Sequence, residues 1–111
     1  MGLDIDIVRQ DGRTTVLVLV GDLDAYTVRS LDQIRERCGP DRPTIDLTGV
    51  EFIDSAGLSA LHRFRSVEPG SPPPVLVCPP GNIRRIFAIA GLEDAFDIRE
   101  AGDISDSGGS T

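Results

Sequence analysis

Residues 45–61 constrain the fold more than any other part of this chain. Ile45, Asp46 and Leu47 read as a short buried strand, the residues after them as a tight loop, and Asp54 onward as the first turns of a helix. Ser55 stands at that helix start, beside Asp54 and followed by Ala56 and Gly57. A hydroxyl placed there is exposed, and the two small residues leave room for a partner to approach. Gly57 sacrifices about 1 kcal/mol of helix propensity relative to Ala. The requirement at this spot is therefore close access and not helix strength.

The neighbouring segments fit an α/β layer. Leu3, Ile5 and Ile7 alternate with Asp4 and Asp6, which predicts a half-buried strand. Asp11-Gly12 signals a hairpin turn, and residues 14–20 form the return strand. The unbroken apolar run 16–20 predicts burial on both faces, as in a sheet covered by helices. Asp24 is a good N-cap for a helix reaching about residue 37, with Val28, Leu31, Ile34 and Cys38 as its apolar stripe. Gly39 and Pro40 stop it, and residues 43–47 make the next strand. The helix opened by Asp54 and Ser55 runs to about Arg65 and buries Leu58, Leu61 and Phe64. The Pro/Gly stretch 69–74 is a surface loop, and residues 75–78 are a short strand. Asn82 caps a helix with the stripe Ile83, Ile86, Phe87 and Ala90; Gly91 ends it, Leu92 packs back on its last turn, and residues 96–98 add an edge strand. The predicted domain is 1–100. Residues 101–111, rich in Gly, Ser and Asp, bury too little apolar surface to order themselves and are expected to form a disordered tail.

Composition excludes several functions. The net charge of −7 argues against nucleic acid and against anionic membrane surfaces, both of which demand concentrated positive charge. No stretch approaches the roughly 20 apolar residues of a membrane span, and the N-terminus shows no signal-peptide pattern. The protein is expected to be cytoplasmic. Cys38, Cys78 and His62 lie far apart in the chain, matching no metal site and suiting buried or half-buried thiols of a reducing compartment.

Ser55 is a poor candidate for catalysis. His62 is the single histidine, and it lies seven residues on, about 10 Å along a helix axis, beyond the reach of direct activation. No Gly-x-Ser-x-Gly turn surrounds the serine. Asp22, Asp24, Asp46 and Asp54 sit near strand ends, but the chain has no lysine to complete a receiver-like acceptor, and capping explains them equally well. No catalytic residue, metal or cofactor is therefore assigned.

Four blocks in order resemble the STAS domain family, specifically its anti-sigma factor antagonists. They are Gly21-Asp22-Leu23-Asp24 after the second strand, Asp54-Ser55-Ala56-Gly57-Leu58, the strand Val75-Leu76-Val77, and the late helix from Ile83 with its Gly91-Leu92 stop. The resemblance spans about residues 3–98 and implies a single domain with a mixed sheet of four to five strands and helices packed on it. It implies further that Ser55 is phosphorylated by a partner anti-sigma factor that is a serine kinase, and reset by a serine phosphatase. The unphosphorylated form then binds the anti-sigma factor and frees a sigma factor. The resemblance places the contact surface at Asp54, Ser55, Gly57, Leu58 and Ser59, with Asp22, Leu23 and Asp24 across a groove. Ser59 stands where the family more often has Gly. Family members usually end with a further helix, which this chain is expected to lack. Two other readings compete: a STAS scaffold or accessory subunit of a transporter or stress-sensing complex that is never phosphorylated, and a small-ligand binder in the groove. The oligomeric state is not fixed by the sequence.

Overall fold

The computed structural model describes residues 2–10, 14–38, 43–65 and 70–100. The Asp11-Gly12 turn, the Gly39-Pro40 stop and the 101–111 tail lie outside them. Strand β1 (Leu3–Gln10) pairs antiparallel with β2 (Thr14–Leu23), placing Leu3, Ile5 and Ile7 opposite Gly21, Leu19 and Leu17. Then follow α1 (Val28–Cys38), β3 (Thr44–Ile53), α2 (Ser55–His62), β4 (Val75–Cys78), α3 (Asn82–Ile89), a short 3-10 turn (Glu93–Ala95) and β5 (Asp97–Glu100). The strands stand in chain order in one five-stranded sheet, and β2 through β5 are mutually parallel. This is the mixed α/β sheet that the sequence predicts. Each parallel step needs a crossover, and the three helices supply them.

All three helices feed one core. Leu31 of α1, Ala60 and Leu61 of α2, and Ile83 and Phe87 of α3 share a buried cluster with Leu17, Leu19, Ile45, Leu47 and Leu76 of the sheet. Burying each of the larger side chains among these contributes about 1.5–3 kcal/mol. The helices therefore cover one face. This corrects the expectation that β2 is buried on both: Val16 and Val18 are half-buried and Val20 is 49% exposed, while Leu17 and Leu19 are fully buried.

The second correction concerns β3. The predicted loop after Leu47 is strand, and β3 continues through Ile53. Its pairing with β2 slips twice: Val18 faces Asp46 but Val20 faces Gly49, and Gly21 faces Val50 but Asp22 faces Phe52. Each slip inserts one extra residue in β3, as a β-bulge does. Leu47, Val50 and Ile53 consequently point to the core at three-residue spacing, and the alternation that announces a strand is lost. The strand β2 likewise runs three residues beyond its predicted end, to Leu23.

The helix boundaries differ in smaller ways. The helical assignment of α2 stops at His62, although Leu61 and Phe64 are buried as predicted; Leu58 is only half-buried. Asn82 is the first residue of α3 and not its cap; Gly81 precedes it with φ 101° and no side-chain cap bond forms. The end of α3 matches the sequence reading. Gly91 takes φ 72°, its N–H donates to the Ala88 carbonyl (3.1 Å), and the Leu92 N–H donates to the Phe87 carbonyl (3.0 Å). These two bonds satisfy carbonyls that the helix leaves orphaned. Ala90 is exposed and so leaves the apolar stripe. Phe96 is buried and meets Phe87 edge-on at 5.7 Å.

Candidate functional site

Ser55 is held by a junction with no slack. The Asp54 N–H donates to the Leu23 carbonyl (3.2 Å), tying the end of β3 to the end of β2. Asp54 is extended, and its carboxylate Oδ1 accepts the Gly57 N–H at 2.9 Å. The Leu58 N–H donates to the Asp54 carbonyl (2.9 Å), closing the first helical turn. Capping thus engages one of the orphan N–H groups of α2, and those of Ser55 and Ala56 remain toward the exposed end. Ser55 itself is exposed.

Two predicted contact residues have other roles. Gly57 is buried, and a Cβ there would press into the Leu23 carbonyl oxygen and come within 3.0 Å of Ile53 Cγ1. Its missing side chain lets α2 sit on the end of β2; it does not open room for a partner. Leu23 is fully buried, so its side chain belongs to the core and only its carbonyl serves the junction.

Asp24 organises the adjoining turn. Its Oδ1 accepts from the N–H groups of Tyr26 (3.0 Å) and Thr27 (3.2 Å), and its own N–H donates to Thr27 Oγ1 (2.9 Å). This is a reciprocal cap on the turn 24–27; the sequence reading makes Asp24 the N-cap of the helix itself, but α1 begins four residues later, at Val28. Asp22 lines a separate acidic depression with Gly2, Asp4, Val20, Gly21 and Glu51. The groove beside Ser55, about 530 Å³, is lined by Ser55, Leu58, Ser59, His62, Arg63 and Leu92. Its far side is Leu92, beyond α3, and not Asp22 to Asp24. Leu92 was not legible as a site residue: it lies far along the chain and the topology alone brings it there. Arg63 lies four residues from Ser59 and eight from Ser55, a spacing that puts it on the same helix face and is legible in the sequence. Arg63 forks onto Asp32, Nε to Oδ1 at 3.1 Å and Nη2 to Oδ2 at 2.9 Å, pinning α2 to α1. Tyr26, 94% exposed, projects from the turn before α1.

His62 is exposed and stands edge-on to Phe96 at 6.2 Å, with no hydrogen bond to Ser55 among the described residues. Burial pushes the Cys78 thiol up to about 11, only partly opposed by the Arg84 guanidinium, which makes it a poor nucleophile at neutral pH. Among the described residues no His, Cys, Asp or Glu cluster is arranged to hold a metal, and no helix is long and apolar enough to cross a membrane.

Comparison with known proteins agrees with this architecture. Two anti-sigma-B factor antagonists, from Listeria monocytogenes and Listeria innocua, are each 29% identical over 103 residues, covering 89% of this chain and 90% of theirs. An anti-sigma factor antagonist from Mycobacterium paratuberculosis superposes with a TM-score of 0.80 at 24% identity, covering 95% of this chain and 92% of that one. The anti-sigma factor antagonist SpoIIAA in its unphosphorylated form gives 0.67 at 19% identity, covering 96% of this chain and 100% of that one. Residues 7–100 match the family model described as Mlab, STAS domain, and the chain belongs to the STAS domain family.

Proposed function

We propose that this protein is an anti-sigma factor antagonist: a cytoplasmic binding protein, not an enzyme, that captures an anti-sigma factor with serine kinase activity and thereby frees a sigma factor. Phosphorylation of Ser55 switches it off, and a serine phosphatase restores it. The observation that carries the reading is the exposed Ser55 hydroxyl, held at the rigid start of α2 and at the mouth of a groove. The similarity to named antagonists supports the same function. The contact surface centres on Ser55, Leu58 and Ser59, with Asp54, Asp22 and Asp24 as its acidic flank.

A phosphoryl group adds a charge of about −1.5 to −2. The free N–H groups of Ser55 and Ala56 and the positive end of the helix favour it locally, so the fold tolerates it. The interface does not. The new charge lies beside Asp54 and must be desolvated whenever a partner covers it, and such like-charge juxtaposition costs several kcal/mol. About 4 kcal/mol is a thousandfold in affinity, enough for a switch without refolding.

The test is capture of the partner from native cell extract, with and without ATP, followed by calorimetry on the purified pair. Wild type should bind without ATP and be released, phosphorylated at Ser55, when ATP is added. Ser55→Ala should bind and stay bound. Ser55→Asp should bind at least about tenfold more weakly, a loss of about 1.4 kcal/mol. An Asp variant with undiminished affinity would sink the electrostatic account. Binding unaffected by ATP, with Ser55 unmodified, would favour the constitutive scaffold or accessory subunit instead.

A further inference from the structure

Ser59 stands one turn beyond Ser55, is exposed, and lines the same groove. Its surroundings are of opposite sign. Ser55 has Asp54 beside it, and its neighbours three and four residues on are Leu58 and Ser59. Ser59 has His62 and Arg63 at those spacings, both lining the groove. The Arg63 N–H donates to the Ser59 carbonyl (3.1 Å), which fixes the one-turn relation between the two residues. Asp32 sits between two guanidinium groups, forked by Arg63 and 3.8 Å from Arg35 Nε. That Arg35 Nε is buried and makes no hydrogen bond. One carboxylate is thus shared by two arginines at the seam of α1 and α2, next to the turn that carries Ser59.

We propose that Ser59 is a second phosphoacceptor of this groove, whose phosphoryl group is held by Arg63 and His62. This rests on the reading that the face meets an ATP-dependent serine kinase. In the transfer, Ser59 Oγ attacks the γ-phosphorus of ATP. The bond to the β–γ bridging oxygen breaks, ADP leaves with the electron pair, and the hydroxyl proton passes to the kinase's base. Ser59 lies about 6 Å from Ser55 along the helix axis, so an active site that covers one reaches the turn that holds the other. The two marks differ physically. A phosphate on Ser55 gains helix N–H groups and meets Asp54. A phosphate on Ser59 is far from that helix end and is stabilised by charge-assisted bonds to an arginine one turn on.

Two measurements decide it. The full chain is incubated with native cell extract and ATP, then digested with trypsin. Ser55 and Ser59 fall on one peptide ending at Arg63, and fragmentation separates them. Phosphate on Ser59 in wild type and in Ser55→Ala supports the proposal. Phosphate on Ser55 alone overturns it and leaves the proposed function standing; phosphate on neither overturns both. Separately, phosphoserine is genetically encoded at position 59 and titrated by phosphorus NMR. Its second ionisation should fall below the ordinary value near 6, and Arg63→Gln should raise it by about half a pH unit. An ionisation indifferent to Arg63 would overturn the assigned phosphate-holding role.

Discussion

β3 and β4 are neighbouring parallel strands, and each delivers the chain to a helix at the same end of the sheet. The two junctions are built differently. At β3 to α2 a single residue, Asp54, separates strand from helix, and it is bonded on three sides: to Leu23, to Gly57 and to Leu58. At β4 to α3 the chain passes through Pro79, Pro80 and Gly81. Gly81, itself the cap position, takes φ 101° and offers no side-chain bond, and nothing would meet a Cβ there within 4 Å. Arg84 and Arg85 then place positive charge in the opening turns of α3, where the helix dipole disfavours it. α3 is held instead by the burial of Ile83 and Phe87 and by the Gly91 stop. The order of α2 comes from its beginning, and that is where an exposed hydroxyl must be held still.

The largest effect should come from Gly57→Ala. Helix propensity alone favours Ala by about 1 kcal/mol. Against this, the new methyl meets a backbone carbonyl that cannot rotate aside, and overpacking of this kind costs about 1–3 kcal/mol or more. The bond from Asp54 N–H to the same carbonyl is strained as α2 retreats. We expect a net loss near 2 kcal/mol, a fall in Tm of about 10 °C by thermal denaturation. A variant more stable than wild type would break the comparison, because propensity would then outweigh the close approach.

That glycine marks how far the sequence could be read. The Asp-Ser junction, the strand 75–78 and the Gly91 stop are local signals, and each was legible because the residues that decide it are adjacent in the chain. The role of Gly57 was not, because its neighbour is Leu23, which comes from a different strand. The continuation of β3 was hidden for a related reason: two bulges set by pairing with β2 erased the alternation between Leu47 and Ile53. The apolar run 16–20 looked buried on both sides, since a sequence does not reveal that three successive crossovers leave their helices on one face. The groove suffered most. Ser55, Leu58 and Ser59 could be placed on its near side by helical spacing, whereas Leu92 on its far side is joined to them by topology alone.

An intermediate effect should follow Asp54→Ala. Losing an N-cap carboxylate costs about 1 kcal/mol, here by freeing the Gly57 N–H. The expected fall in Tm is about 5 °C. Hydrogen exchange should locate the change, with protection lost at Gly57 and Leu58 and retained in α3. Loss spread evenly over both helices would mean that the junctions are not independent, and the contrast between them would need redrawing.

The smallest effect should come from Asn82→Ala, the matching substitution at the other junction. Asn is a favoured cap, so a sequence reading assigns it the same weight as Asp54. In the folded chain it is exposed, lies inside α3 and makes no cap bond, while Ala is the better helix former at such a position. The variant should stay within about 0.5 kcal/mol of wild type, on either side. Chemical denaturation at fixed pH resolves that difference if the slope is unchanged. If Asn82→Ala instead costs as much as Asp54→Ala, α3 is capped in solution as α2 is. The contrast between the two junctions, which supports the proposal that Ser55 is a kinase target, would then be lost.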